Sequence, residues 1–189
     1  MTFMRGKQVD LVVLQEGDYE ADRWTSGVMS GLTTEHLFTG SLPMRAIDIK
    51  AQWRKEREAG DVLFGIFAGP EFTLPGPAPN SIPTFIGTCG LHSHRNIYRS
   101  WEARFIIFDI EAVGKGLGKE VVTNLTRYAF ERLNAHRVWL GVSEDNLRAV
   151  KCYLDCGYRI EGRLRDELFY HGKYHSALRM AAMEGEWGR

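Results

Sequence analysis

The chain has 189 residues, 44% hydrophobic and 25% charged, with 24 Lys+Arg against 24 Asp+Glu and a formal net charge of zero. A chain of this size buries roughly 70% of its unfolded surface, so one α/β-sized domain needs no disulfide or metal to hold a core. Zero net charge supplies no field to draw in nucleic acid or an anionic membrane, and nowhere do 18 apolar residues run together to span one.

From the N-terminus, Met1 to Leu14 is interrupted by Arg5, Lys7 and Asp10, which argues against a signal peptide. Within it, Gln8 to Leu14 is a short β-rich run closed by Gln15-Glu16-Gly17-Asp18, read as a strand and its turn. Asp18 is placed to cap a helix from about Tyr19 to Met29. Ser30 to Pro43 shows no period, Ile47 to Glu58 is helical with a charged face, and Val62 to Ala68 is a strand. Five of the six prolines fall between Gly69 and Pro83, which excludes a helix or a central strand there. A long surface connection is expected at about 69–83, either a plain hairpin loop or one that overhangs a site.

Thr84 to Leu91 and Trp101 to Asp109 are strands, and the run Phe105-Ile106-Ile107-Phe108 suits one covered on both faces. Leu117, Val121, Leu125 and Tyr128 recur at helical spacing and mark an amphipathic helix over about Leu117–Leu133. Arg137 to Val142 is a strand, Asn146 to Cys156 a helix ended by Gly157, and Tyr158 to Leu164 and Tyr174 to Met183 close the chain as strands. The expected fold is α/β: a single domain over 1–189 with one central mixed sheet flanked by helices. The three cysteines, Cys89, Cys152 and Cys156, form no Cys-x-x-Cys pair, which fits a reducing compartment and a cytoplasmic location.

Chemistry concentrates in two places. Gly114-Lys115-Gly116-Leu117-Gly118 sits between a buried strand and an amphipathic helix, where backbone amides and the helix dipole converge on a phosphate or simply form a tight turn. A dinucleotide fingerprint would need Gly where Lys119 stands, and a P-loop Ser or Thr where Glu120 stands. The second place is the next helix: Asn146, Ala149 and Tyr153 share one face, with Tyr153 either a core-edge aromatic or a proton donor.

The glycine turn after a strand, followed by a helix, a strand and Asn-x-x-Ala-x-x-x-Tyr-x-x-x-Gly-Tyr from Asn146 to Tyr158, resembles the GCN5-related N-acetyltransferase (GNAT) superfamily. The closing segment, Glu161-Gly162-Arg163-Leu164-Arg165 through His171-Gly172-Lys173-Tyr174-His175 to Met180, is similar to ribosomal-protein N-terminal alanine and serine acetyltransferases. Polyamine and amino-sugar acetyltransferases have similar closing segments. The resemblance implies a mostly antiparallel sheet that splays open at an acetyl-CoA site. It implies that backbone groups of Ile107, Phe108 and Asp109 pair with the pantetheine arm. Amides from Gly114, Lys115, Gly116, Leu117, Gly118 and Lys119 would hold the pyrophosphate. Val113 stands where the family's pattern begins with Gln or Arg, which removes one polar side chain and not the backbone cradle. Asn146, with Ala149 beside it, is assigned to the pantetheine or an adjacent water, and Tyr153 to protonating the departing thiolate.

The acceptor amine must lose a proton before it attacks. The family's usual Glu position falls on Ala103, with Glu102 beside it on the opposite face of the strand; Glu102 is the first candidate base, and His92, His94, His171 and His175 are alternatives with imidazoles suited to proton transfer near neutrality. The spacing of Cys89, His92 and His94 matches no standard zinc pattern, and no metal is expected. Cys152 and Cys156 flank Tyr153 and read as packing residues. The expected function is acetyl-CoA-dependent transfer to a primary amine: a protein N-terminus, an amino sugar or nucleotide sugar, or a small amine. Zero net charge speaks against a polycation unless the cleft itself is acidic. Alternatives are a non-catalytic acyl-CoA sensor of the same fold and a nucleotide-binding enzyme. A homodimer through the last strands or the sheet edge is a further expectation from the resemblance.

Overall fold

The computed structural model describes residues 2–14, 17–29, 45–68, 84–109 and 112–188. In chain order the elements are β1 (Thr2–Arg5), β2 (Val9–Val13), α1 (Asp18–Met29), α2 (Ala46–Glu58), β3 (Val62–Ala68), β4 (Thr84–Arg95), β5 (Ser100–Ile107), α3 (Leu117–Arg132), β6 (Arg137–Ser143), α4 (Leu147–Asp155), β7 (Arg159–Tyr170) and β8 (Lys173–Met183), with a 3-10 turn at Asn96–Tyr98. The Pro-rich segment at 69–83 and the aperiodic stretch from Ser30 lie outside the described residues.

Eight strands form one mixed sheet in the order β1-β2-β3-β4-β5-β6-β8-β7. β5 and β6 are parallel and pair through only three partners, Ser100↔Arg137, Trp101↔Val138 and Glu102↔Trp139. Past Glu102 the two strands run on, to Ile107 and Ser143, without pairing to each other. β5 keeps its antiparallel ladder to β4 as far as Ile107, and β6 keeps its own to β8. The sheet therefore splits into two wings hinged at Trp101–Glu102, as the resemblance implied.

Each face carries its own apolar layer. On one, Leu117, Val121, Leu125 and Ala129 of α3 pack over Leu11, Phe64, Ala103 and Val138. On the other, Trp24 and Val28 of α1 and Ile49 and Trp53 of α2 pack over Leu63 and Phe85, with Trp24 and Trp53 edge to face at 6.4 Å. The Phe105–Phe108 run serves both layers: Phe105 and Ile107 face α3, Ile106 and Phe108 face α1 and α2. Gly27 lets α1 lie directly on this run, since a Cβ there would sit 2.3 Å from the Phe108 ring.

Several elements differ from their sequence reading. β1 was not expected; its four residues are too few to show a period, and a long-range contact secures it, with the Glu120 carboxylate accepting from the Lys7 and Gln8 amides at 2.6 and 3.2 Å. β4 continues through polar residues to Arg95, where His92 still pairs with Glu102. β7 runs to Tyr170 because a bulge between Leu164 and Leu168, with Asp166 at φ 55°, resets the register and hides the strand's continuity. Phe108 and Asp109 lie just past the end of β5.

Candidate active site

Where β5 parts from β6, a cavity of about 370 Å³ opens between β5, the glycine turn and α4. Phe105, Ile106 and Ile107 form one wall; Ala112, Val113, Gly114, Gly116, Gly118 and Lys119 form the end; Asn146, Ala149, Cys152 and Tyr153 form the far wall. The turn depends on backbone that only glycine adopts readily. Gly114 and Gly116 sit at φ 82° and 83°, where a side chain costs about 1–2 kcal/mol. Gly116 is also the N-cap of α3 and brings no capping side chain. The Lys119 amide turns back to Gly116 O at 3.1 Å, so the helix opens with the Leu117 and Gly118 amides toward an anion at its positive end.

On α4, the Asn146 side chain caps the helix, its Oδ1 accepting from the Ala149 amide at 3.1 Å. That contact fixes the side chain in the cavity wall and leaves its NH2 for another partner. Tyr153, two turns on, is 7% exposed, and its ring packs edge to face on Phe105 at 5.7 Å. Tyr158 bonds its hydroxyl to Thr126 Oγ1 at 2.7 Å, whereas the Tyr153 hydroxyl makes no hydrogen bond to another described residue. Burial, followed by the nearby Cys152 and Tyr158, pushes the Tyr153 hydroxyl well above the usual phenol range, so it is a neutral O–H at any physiological pH.

The other candidate cofactor residues lie off this lining. Phe108 donates its amide to Ile86 O at 3.1 Å and buries its ring among α1 and β4 side chains. Asp109 accepts from Arg23 Nη2 at 2.9 Å, and its carbonyl accepts the Ala112 amide. Leu117 points into the core with 0% exposure, and Lys115 lies outside the cavity wall. Sequence reading missed Phe105, Ile106, Ala112, Arg148, Lys151, Cys152 and Asp155, which also line the cavity. Of these, Arg148, Cys152 and Asp155 were findable from spacing, because they step along one face of α4.

On the opposite face of β5 a smaller cavity, about 90 Å³, lies under α1 and α2. Trp24, Gln52, Trp53, Glu56, Thr88, Gly90, His92 and Arg104 line it, and it shares Phe105 and Ile106 of β5 with the wall of the first cavity. The surroundings are acidic. Burial works against the Arg104 charge, but the Glu102 hydrogen bond and the charges of Glu102, Glu56 and Asp61 outweigh it and raise its pKa. Glu102 itself accepts from Arg104 Nη2 at 2.8 Å.

Of the candidate imidazoles, His92 is buried and its Nδ1 lies 2.8 Å from Asp61 Oδ2. His175 is held by Asp145 at 2.6 Å and stacks on Tyr170 at 3.7 Å, and His171 turns the β7–β8 hairpin at φ 50°. The His94 side chain lies outside the described residues. Cys152 and Cys156 share a hydrogen bond that, ahead of the contribution from Thr123, holds the Cys156 thiol down at about 7. Among the described residues, no group of three or more His, Cys, Asp or Glu is placed to hold a metal ion.

Three comparisons with known proteins fit this geometry. The chain is 34% identical over 102 residues to spermidine N(1)-acetyltransferase of Vibrio cholerae, covering 54% of this chain and 58% of that one. It is 29% identical over 101 residues to the putative ribosomal N-acetyltransferase YdaF of Bacillus subtilis, covering 53% and 55%. The chain thus spans little more than half the length of these curated relatives. Its fold matches the crystal structure of Vibrio cholerae spermidine N-acetyltransferase in complex with CoA and spermine, with a TM-score of 0.79 at 24% identity, over 96% of this chain and 98% of that one. Residues 12–159, most of the chain, match the family described as acetyltransferase (GNAT) domain, and the chain belongs to that family.

Proposed function

We propose that the protein is an acetyl-CoA-dependent N-acetyltransferase that acts on a primary amine of a small aliphatic polyamine. Acetyl-CoA brings the activated acetyl group as a thioester. The first-turn amides of α3, with Lys119 near them, suit its pyrophosphate, and the unpaired edge of β5 from Ala103 to Ile107 suits the pantetheine arm. Asn146 holds the arm or a water beside it. Arg148 adds positive charge on the α4 wall for the phosphates, while Lys151 beside it is paired with Asp155 at 3.1 Å.

The observation that carries the catalytic reading is Tyr153: a buried side chain on the wall of the cavity whose phenol is neutral and makes no hydrogen bond to another described residue. Such a phenol can give its proton to sulfur as the C–S bond breaks. The polyamine reading rests on the acidic set Glu56, Asp61 and Glu102 beyond β5 and on the similarity to spermidine acetyltransferases. Glu56 lines the smaller cavity and Asp61 and Glu102 stand close by, a local grouping of carboxylates that the net charge of zero does not show. Exposed Ile160, Phe169 and Tyr174 on β7 and β8 support self-association through the last strands.

The test is amine-dependent release of CoA from acetyl-CoA across spermidine, spermine, an amino sugar and a peptide with a free N-terminus. Release with the polyamines and not the others is the expected result. In parallel, acetyl-CoA at about 100 times its dissociation constant stabilises by about 2.7 kcal/mol, a rise of about 5–10 °C in Tm. Tm unmoved by saturating acetyl-CoA contradicts the reading. Binding without release by any amine leaves a sensor in its place.

A further inference from the structure

We infer that His92, oriented by Asp61, is the base that takes the proton from the acceptor ammonium. The inference rests on the acetyltransferase reading and supplies the part that Tyr153 does not. His92 lies on β4, directly across from Glu102 on β5, in the wall of the smaller cavity. That cavity and the larger one share Phe105 and Ile106 of β5 in their walls, which sets the imidazole on the strand pair that walls the cofactor cavity.

The dyad is built, not incidental. The Asp61 carboxylate uses both oxygens, Oδ2 to His92 Nδ1 at 2.8 Å and Oδ1 to the Ser93 amide at 2.8 Å. Its own position, just before β3, is therefore locked to the strand that carries the histidine. An ionised Asp61 selects the tautomer with the proton on Nδ1, which leaves Nε2 with a lone pair. The ring lies back over Gly90, with Nε2 3.3 Å from where a Cβ at that residue would stand, and Gly90 lines the same cavity. The absent side chain at Gly90 is what makes room for Nε2 to face the space. Glu102 is less well placed for this task, because its carboxylate is engaged by Arg104.

The charged groups facing His92 are Asp61, Glu56 from α2, and Glu102 and Arg104 from β5: three carboxylates against one guanidinium. Their net negative charge attracts an ammonium. The proton balance is complete. His92 Nε2 takes one proton from R–NH3+ and later returns it to water. The free amine forms the C–N bond to the acetyl carbon as the C–S bond breaks. Tyr153 gives its proton to sulfur, and the second proton lost from nitrogen replaces it.

The test compares the parent chain with His92→Gln and Asp61→Asn. Asp61→Asn keeps the shape but donates to Nδ1, which moves the ring proton to Nε2. Both variants are expected to keep the Tm rise with acetyl-CoA, which shows that the fold and the cofactor cavity are intact. Both are expected to lose about 10²-fold or more in kcat with spermidine at pH 7. In His92→Gln, activity then climbs about tenfold per pH unit, since only amine already neutral in solution reacts. A fluorinated aliphatic amine that is neutral at pH 7 separates base from scaffold: the parent-to-variant ratio is expected to fall from about 10² to near one. His92→Gln with parental kcat, or the same ratio for both amines, overturns the role of His92 and leaves the acetyltransferase reading standing. A parent chain that releases no CoA with any amine overturns both.

Discussion

The two cavities that share the β5 wall are built by different means. Around the larger cavity, the turn from Val113 to Lys119 offers backbone: two glycines at positive φ, an uncapped helix end and an unpaired strand edge. Around the smaller one, beneath α1 and α2, the chemistry is carried by side chains drawn together over long sequence separations. Asp61 reaches His92 across 31 residues, and Trp24 Nε1 bonds to Thr88 Oγ1 across 64. A backbone cradle suits a cosubstrate that stays the same. A side-chain pocket suits an acceptor that differs from one relative to another.

The same division explains what could be read from the sequence. Backbone recognition leaves a local signature, so Gly114, Gly116, Gly118 and the Asn146–Ala149–Tyr153 face stood out and fall on one cavity. The V-shaped opening could not come from spacing, because it depends on where β5 and β6 stop pairing; it came from the family resemblance. Phe108 and Asp109 looked like a continuation of β5, yet the strand ends at Ile107, and Phe108 bonds to Ile86 on β4 and Asp109 to Arg23 on α1. His92 was one imidazole among several, and nothing in its neighbours signals that Asp61 orients it. The charge of the acceptor side was invisible for a similar reason: a net charge of zero is a sum, and it hides the grouping of Glu56, Asp61 and Glu102.

The comparison can be broken in stages. Tyr153→Phe removes a single proton donor and should lower kcat about 10²–10³-fold while the KM for acetyl-CoA stays within about twofold, by steady-state kinetics. A kcat within threefold of the parent removes Tyr153 from the chemistry. Trp53→Ala, which empties the α1–α2 layer, should cost about 3 kcal/mol of stability, a Tm fall of roughly 6–12 °C, yet leave the Tm rise with acetyl-CoA in place. Loss of that rise would mean that the two cavities are not independent.

Alkaline titration probes the aromatic core beside the cofactor cavity. Burial raises the Tyr153 and Tyr158 hydroxyls above the ordinary 10.0, so the unfolded chain releases those protons first. Stability is thus unaffected by these groups below pH 10 and falls as pH rises above it; scanning calorimetry between pH 9 and 11 should show the decline, smaller in Tyr153→Phe. The smallest expected effect is Cys152→Ala. Cys152 lines the cavity beside Tyr153 without a charge to offer a ligand, and the KM for acetyl-CoA should change less than about threefold.

The division of labour proposed for the two cavities is tested most directly by crossing two substitutions in one steady-state experiment that varies both substrates. Gly116→Val places a β-branched residue at φ 83° in the cradle, and Glu56→Gln removes one carboxylate from the acceptor side. The account predicts that Gly116→Val raises the KM for acetyl-CoA about tenfold or more and leaves the KM for spermidine within about twofold. Glu56→Gln is predicted to do the reverse, with a rise of about threefold to tenfold for spermidine alone. Equal movement of both constants in either variant, or no change in acetyl-CoA binding with Gly116→Val, would contradict it.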